Sequence, residues 1–117
     1  MWREHVMALL HDKILDRGAE DVCARFVARF SYLQGELGDV ESYQRLKEDL
    51  GKPKAGVCSN VIFYLAIKPT DFSAVIKNLD KSGLSKPRGM HRIVVEKPFG
   101  EDIESAQYLN ELLHRYF

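Results

Sequence analysis

Val61-Ile62-Phe63-Tyr64-Leu65-Ala66-Ile67 is a run of seven apolar residues with no polar residue between them. A strand with one face in water alternates apolar and polar side chains, so an unbroken run fits a strand covered on both faces, as in a parallel sheet between helices. Downstream, Thr70 is placed to cap a helix whose Phe72, Val75, Ile76 and Leu79 point inward as far as Gly83. Lys86-Pro87-Arg88-Gly89 is then a turn-rich connector into a second aliphatic strand, Ile93-Val94-Val95. Asp102 is the expected cap of a closing helix that carries Ile103, Ala106, Leu109, Leu113 and Tyr116.

The earlier part of the chain reads in the same manner. Trp2, Val6, Leu9, Leu10 and Ile14 recur at three-to-four-residue spacing, which predicts an amphipathic helix ending near Gly18, with a second helix over 19–29. The first helix has no cap, and the chain stops without a tail at Tyr116-Phe117, so both ends read as cuts in a longer sequence. Phe30-Ser31-Tyr32-Leu33 reads as a short strand stopped by Gly35. Asp39 caps a helix with Val40, Tyr43, Leu46 and Leu50 on one side, closed by Gly51 and Pro53. Strand followed by helix, three times over, predicts an α/β fold: a partial Rossmann-like parallel sheet flanked by helices.

The chain has 117 residues, one domain's worth, and is 45% hydrophobic and 29% charged. Lys plus Arg and Asp plus Glu stand at 17 each, so no global field favours nucleic acid or an anionic membrane. No apolar run approaches the ~20 residues of a membrane span, and residues 2–5 build no secretory leader. A cytoplasmic protein is expected. Cys23 and Cys58 have no partners at metal-ligand spacing and read as free thiols of a reducing compartment. No metal site is expected, and His5, His11, His91 and His114 lack triad or ligand partners.

Ligands of open α/β sheets bind outside the carboxyl ends of the strands. In a parallel sheet the turns at Glu36-Leu37, Lys68-Pro69 and Glu96-Lys97-Pro98 are expected on that one edge. Lys97 is the candidate binding residue there, with an aliphatic strand before it and a proline restricting the backbone after it. X-Pro bonds are cis in about one case in twenty, so sequence alone does not predict one at Lys97-Pro98. The basic residues Lys81, Lys86, Arg88 and Arg92 read as a solvated face. No G-x-G-x-x-G occurs, so the chain holds at most half of a dinucleotide site.

Arg92 to Gly100, with its Glu-Lys-Pro-Phe-Gly core, resembles the signature of the glucose-6-phosphate dehydrogenase family. Two further blocks resemble the family in the same order. They are Tyr32-Leu33-Gln34-Gly35 with Asp39 and Ser42-Tyr43-Gln44-Arg45-Leu46, and Phe63-Tyr64-Leu65-Ala66 with Pro69-Thr70. The resemblance implies that residues 1–117 are part of an NADP-binding Rossmann domain, lacking its first βαβ segment and the C-terminal substrate domain. It also implies an enzyme that oxidises carbon 1 of glucose 6-phosphate to the lactone with NADP, as a homo-oligomer.

Carried over by position, Lys97 is the lysine that contacts both sugar and coenzyme, and Glu36 and Leu37 border the adenosine half of the coenzyme. Phe72 stands where relatives can carry a coenzyme-contacting tyrosine. Lys68-Pro69 departs from the two prolines common in the family. The glycine-rich turn, the coenzyme-phosphate arginine, the Arg-Ile-Asp-His-Tyr block and the histidine base are missing, so no catalytic residue is assigned and the isolated chain is expected to be inactive. Two alternatives stand beside this reading: a glucose-fructose oxidoreductase-type dehydrogenase, and a non-catalytic Rossmann-like module.

Overall fold

A computed structural model describes residues 1–13, 20–52, 59–85 and 90–117. Where the sequence suggested one domain, the chain divides into two compact units, Met1–Gln34 and Gly35–Phe117. Expectations that rest on Ile14, Gly18, Pro53, Cys58 or the 86–89 connector lie outside the described residues.

The first unit holds α1 (Trp2–Lys13) and α2 (Glu20–Ala28). Both helices were expected, but α1 buries none of its residues, and Leu9 on its anticipated inner face is half exposed. Among the described residues of this unit the buried positions are Cys23 and Val27 of α2. Aromatic contacts tie the unit together locally: Phe26 meets Phe30 edge-on at 4.8 Å between ring centroids, and Trp2 lies 6.3 Å from Tyr32. The short strand expected at 30–33 does not form. A strand is defined by a ladder of hydrogen bonds to a neighbour, and residues 30–36 have none among the described residues.

The second unit is built from α3 (Val40–Gly51), β1 (Val61–Leu65), α4 (Pro69–Lys81), β2 (His91–Val95) and α5 (Ile103–Tyr116). β1 and β2 pair in parallel, in register from Val61 opposite His91 to Leu65 opposite Val95, with α4 as the crossover. This is the α/β, Rossmann-like layout that the strand and helix signals predicted. The core joins Phe63 and Leu65 of β1 to Phe72, Val75, Ile76 and Leu79 of α4 and to Leu109 and Leu112 of α5.

The expectation of a strand covered on both faces is not met. Period-two geometry turns Ile62 and Tyr64 of β1 and Val94 of β2 to the opposite face, where they are exposed by 66%, 57% and 42%. Ile103, grouped with the apolar residues of α5, is likewise exposed.

Helix ends follow local chemistry. Asp39 accepts from the backbone N–H groups of Glu41 and Ser42 at 3.0 and 3.3 Å, capping α3 as predicted. Asp102 and Ser105 form a reciprocal capping box on α5. Thr70 does not cap α4. That helix begins earlier, with Lys68 at the cap, which makes no side-chain bond, and Pro69 in the first turn, where its missing N–H costs nothing. The far end of α4 closes in a Schellman motif. Leu84 N–H donates to Leu79 C=O, and Gly83 N–H, at φ +76°, donates to Asp80 C=O, both at 2.8 Å. Leu84 and Leu79 are both core residues, which supplies the apolar contact that usually accompanies this motif.

Candidate functional site

Parallel pairing in register brings the turn after β1 and the turn after β2 out of the same end of the sheet. The first turn runs through Lys68-Pro69 into α4, the second through Glu96-Lys97-Pro98-Phe99-Gly100 into α5. They meet in an open cleft of about 210 Å³ between the starts of the two helices, lined among others by Pro69, Ser73, Gly100, Asp102 and Tyr108.

Gly100 fixes how closely the second turn approaches α5. Its φ is +87°, and a Cβ there would lie 2.6 Å from the Ala106 backbone nitrogen. The Lys97-Pro98 peptide bond is cis. Lys97 itself is exposed and makes no ion pair with any described residue.

Its neighbour Glu96 is engaged elsewhere, since the Tyr64 hydroxyl donates to the Glu96 carboxylate. Tyr64 is opposite Val94, so Glu96 is its diagonal neighbour on the exposed face, a separation long side chains bridge. The bond to Glu96 raises the Tyr64 phenol above its ordinary value, so it remains a donor at neutral pH. In the cleft the Lys77 ammonium, then Ser73, lower the Tyr108 phenol, and the Ser105 hydroxyl, followed by the Ser105 backbone N–H, lowers Asp102.

The other sequence candidates are placed differently. Phe72 is 1% exposed in the middle of the core, so its ring packs the sheet against the helices and presents no surface to a ligand. The Leu37 carbonyl accepts from the Tyr43 hydroxyl at 2.7 Å and from Asn78 Nδ2 at 3.1 Å, and Glu36 N–H donates to Ser42 Oγ at 3.1 Å. Asn78 stands nine residues along α4 from Pro69, roughly 13 Å at 1.5 Å per residue. Leu37 therefore lies beside the last turns of α4 while Pro69 opens the first, and the three turns do not gather on one edge.

Lys81 and Arg92 are exposed, and the other two basic connector residues fall outside the described set. Cys23 is a buried free thiol. His91 Nδ1 lies 2.7 Å from the Leu84 carbonyl, which ties that ring to the protein. No cluster of three or more His, Cys, Asp or Glu able to hold a metal occurs among the described residues. Sequence reading passed over the Tyr64–Glu96 bond. The register of the two strands is the signal that yields it, because Glu96 lies two residues beyond the partner of Tyr64.

A parallel β-α-β unit whose turns open at one carboxyl edge places the second unit in the class of open α/β domains that bind ligands at that edge. All of residues 1–117 match the family model described as glucose-6-phosphate dehydrogenase, NAD binding domain, and the chain belongs to that family. Glucose-6-phosphate 1-dehydrogenase 2 of Mycobacterium tuberculosis is 40% identical over 97 residues, covering 80% of this chain and 19% of that protein. The mouse protein of the same name is 38% identical over 92 residues, with 79% and 18% covered. The crystal structure of glucose-6-phosphate 1-dehydrogenase from Mycobacterium avium superimposes with a TM-score of 0.69 at 33% identity, over 91% of this chain and 21% of that one. The chain thus spans about a fifth of the length of these relatives.

Proposed function

We propose that residues 1–117 are part of the coenzyme domain of an enzyme that oxidises carbon 1 of glucose 6-phosphate to the lactone with NADP. Lys97 carries this reading: an exposed ammonium with no anionic partner among the described residues, at the carboxyl edge of a parallel pair, in the Glu-Lys-Pro-Phe-Gly turn. Such a group suits ligands rich in hydroxyl and phosphate oxygens. Its three N–H donors bind sugar oxygens and orient the reacting carbon, a contribution of position. When bound, the nicotinamide supplies the hydride acceptor.

On this reading Glu36 and Leu37 border the adenosine half, apart from Lys97, and Phe72 is a packing residue. The first βαβ segment, the substrate domain and the proton acceptor for the sugar hydroxyl belong to the remainder of a homo-oligomeric, cytoplasmic protein. Residues 1–117 by themselves then do not turn over.

The test is an assay of the full-length protein with glucose 6-phosphate and NADP, beside its Lys97→Ala variant. NADPH formation is expected, with kcat/KM lowered roughly 10- to 150-fold in the variant, equivalent to one charge-assisted hydrogen bond of about 1.5–3 kcal/mol. An inactive full-length protein, or a variant as active as the parent, would overturn the proposal.

A further inference from the structure

We propose that Tyr64 is a positioning residue for Lys97: by holding the Glu96 carboxylate on the exposed face of the sheet, it keeps that anion from pairing with the neighbouring ammonium. The inference rests on the function proposed for Lys97, and it assigns a role to a side chain on the strand paired beside the signature turn.

Glu96 and Lys97 are adjacent in sequence, opposite in charge and both exposed, yet they form no ion pair. The Glu96 carboxylate is instead bonded to the Tyr64 hydroxyl. Parallel register makes this bond available. Tyr64 faces Val94, and Glu96, two residues on, leaves the ladder on the same face of the sheet. The hydroxyl stays protonated, and so able to donate, well beyond neutrality. A phenylalanine at position 64 would keep the ring on the exposed face and lose only the donor. The freed carboxylate would then have one cation within a residue of it, and a substrate oxygen would have to compete with that ion pair for Lys97.

Exposed ion pairs of this kind shift equilibria by about 2- to 5-fold. In the full-length enzyme, Tyr64→Phe should raise KM for glucose 6-phosphate by that factor with kcat little changed, and the effect should shrink as salt screens the pair. The readout independent of turnover is the acylation rate of Lys97 in the ligand-free protein, followed by mass spectrometry against its other lysines. Pairing favours the charged ammonium over the reactive amine, so Tyr64→Phe should slow that rate about 2- to 5-fold.

The deciding variant is Tyr64→Phe with Glu96→Gln. With no carboxylate left to capture Lys97, both KM and acylation rate should return to the parental values, which a merely structural role for the tyrosine does not predict. The inference is overturned if Tyr64→Phe leaves both quantities unchanged, or if Glu96→Gln fails to rescue them. Lys97→Ala separates the two levels. If it impairs the enzyme while Tyr64→Phe does not, the positioning role fails and the function of Lys97 stands; if Lys97→Ala is silent, both fail.

Discussion

Gly100→Ala should loosen the signature turn from α5, and its cost can be worked from two contributions. At φ +87° an L-residue meets its own backbone, which costs roughly 1–2 kcal/mol. The new methyl would also sit 2.6 Å from the Ala106 nitrogen and 2.9 Å from its Cα, inside the first turns of α5. Backbone cannot swing aside as a side chain can, so an overpacking cost of roughly 1–3 kcal/mol adds to the strain. The sum is about 2–5 kcal/mol. Gly83→Ala is the internal control. Its φ is also positive, at +76°, but a Cβ there meets only the flexible end of Lys47, at 3.0 Å, leaving the strain of roughly 1–2 kcal/mol. Hydrogen exchange of α5 and α4 amides in the full-length protein reads each opening free energy locally. Protection of α5 in Gly100→Ala should fall well below that of α4 in Gly83→Ala. Equal losses, or a Gly100→Ala loss under about 1 kcal/mol, would refute the close approach of turn and helix.

Three further outcomes are expected. The Asp39 and Asp102 carboxyls are held below their ordinary value of 3.8, Asp39 chiefly by the Glu41 backbone N–H and Asp102 chiefly by the Ser105 hydroxyl. Their folded values lie below the unfolded ones, so their stabilisation is complete above the ordinary value and is lost as pH falls through the depressed ones. Asp102→Asn, which still caps, should therefore flatten the acid loss of α5 protection. Leu79→Ala, at a 2% exposed site shared by the core and the Schellman closure, should cost about 2–5 kcal/mol in urea denaturation. Tyr43→Phe removes one of two donors on the Leu37 carbonyl and should cost about 0.5–1.5 kcal/mol. Adding Asn78→Leu should cost more than the two single changes together, because the carbonyl then has neither donor.

Much of the second unit was legible in sequence because its signals are local. Asp39 and Asp102 sit where their side chains reach free N–H groups, Gly83 sits where only a left-handed residue closes the helix, and all four apolar positions expected to face inward on α4 are buried, beside the polar Asn78. Lys97 could be found the same way, as a charge placed after an aliphatic strand. What escaped reading depends on partners distant in sequence. Whether Phe30–Leu33 is a strand is decided by a neighbour to pair with, and whether α1 buries its apolar stripe by a surface to receive it. The Tyr64–Glu96 bond depends on register between strands, which neither strand encodes alone. Phe72 illustrates a different limit. The resemblance implied a coenzyme contact at its position, while its burial at 1% makes it a core residue here.

The exposed face of β1 and β2 is where packing and function meet. Ile62 and Tyr64 are among the residues that made the run from Val61 read as doubly covered, and with Val94 of β2 they are left exposed. An apolar run without alternation is the composition of a strand with cover on both sides, and the chain spans about a fifth of the length of its relatives. On the proposed reading, then, the sequence encodes burial that the described residues of the second unit do not complete. Tyr64 is the exception on that face that shows the difference between packing and function: Ile62 and Val94 have only area to offer a covering layer, whereas Tyr64 already spends its one polar atom on Glu96. Cover over this face would bury that bond, and a bond to a carboxylate strengthens as water leaves it. The same layer that satisfies the apolar strand would therefore tighten the restraint that keeps Lys97 free.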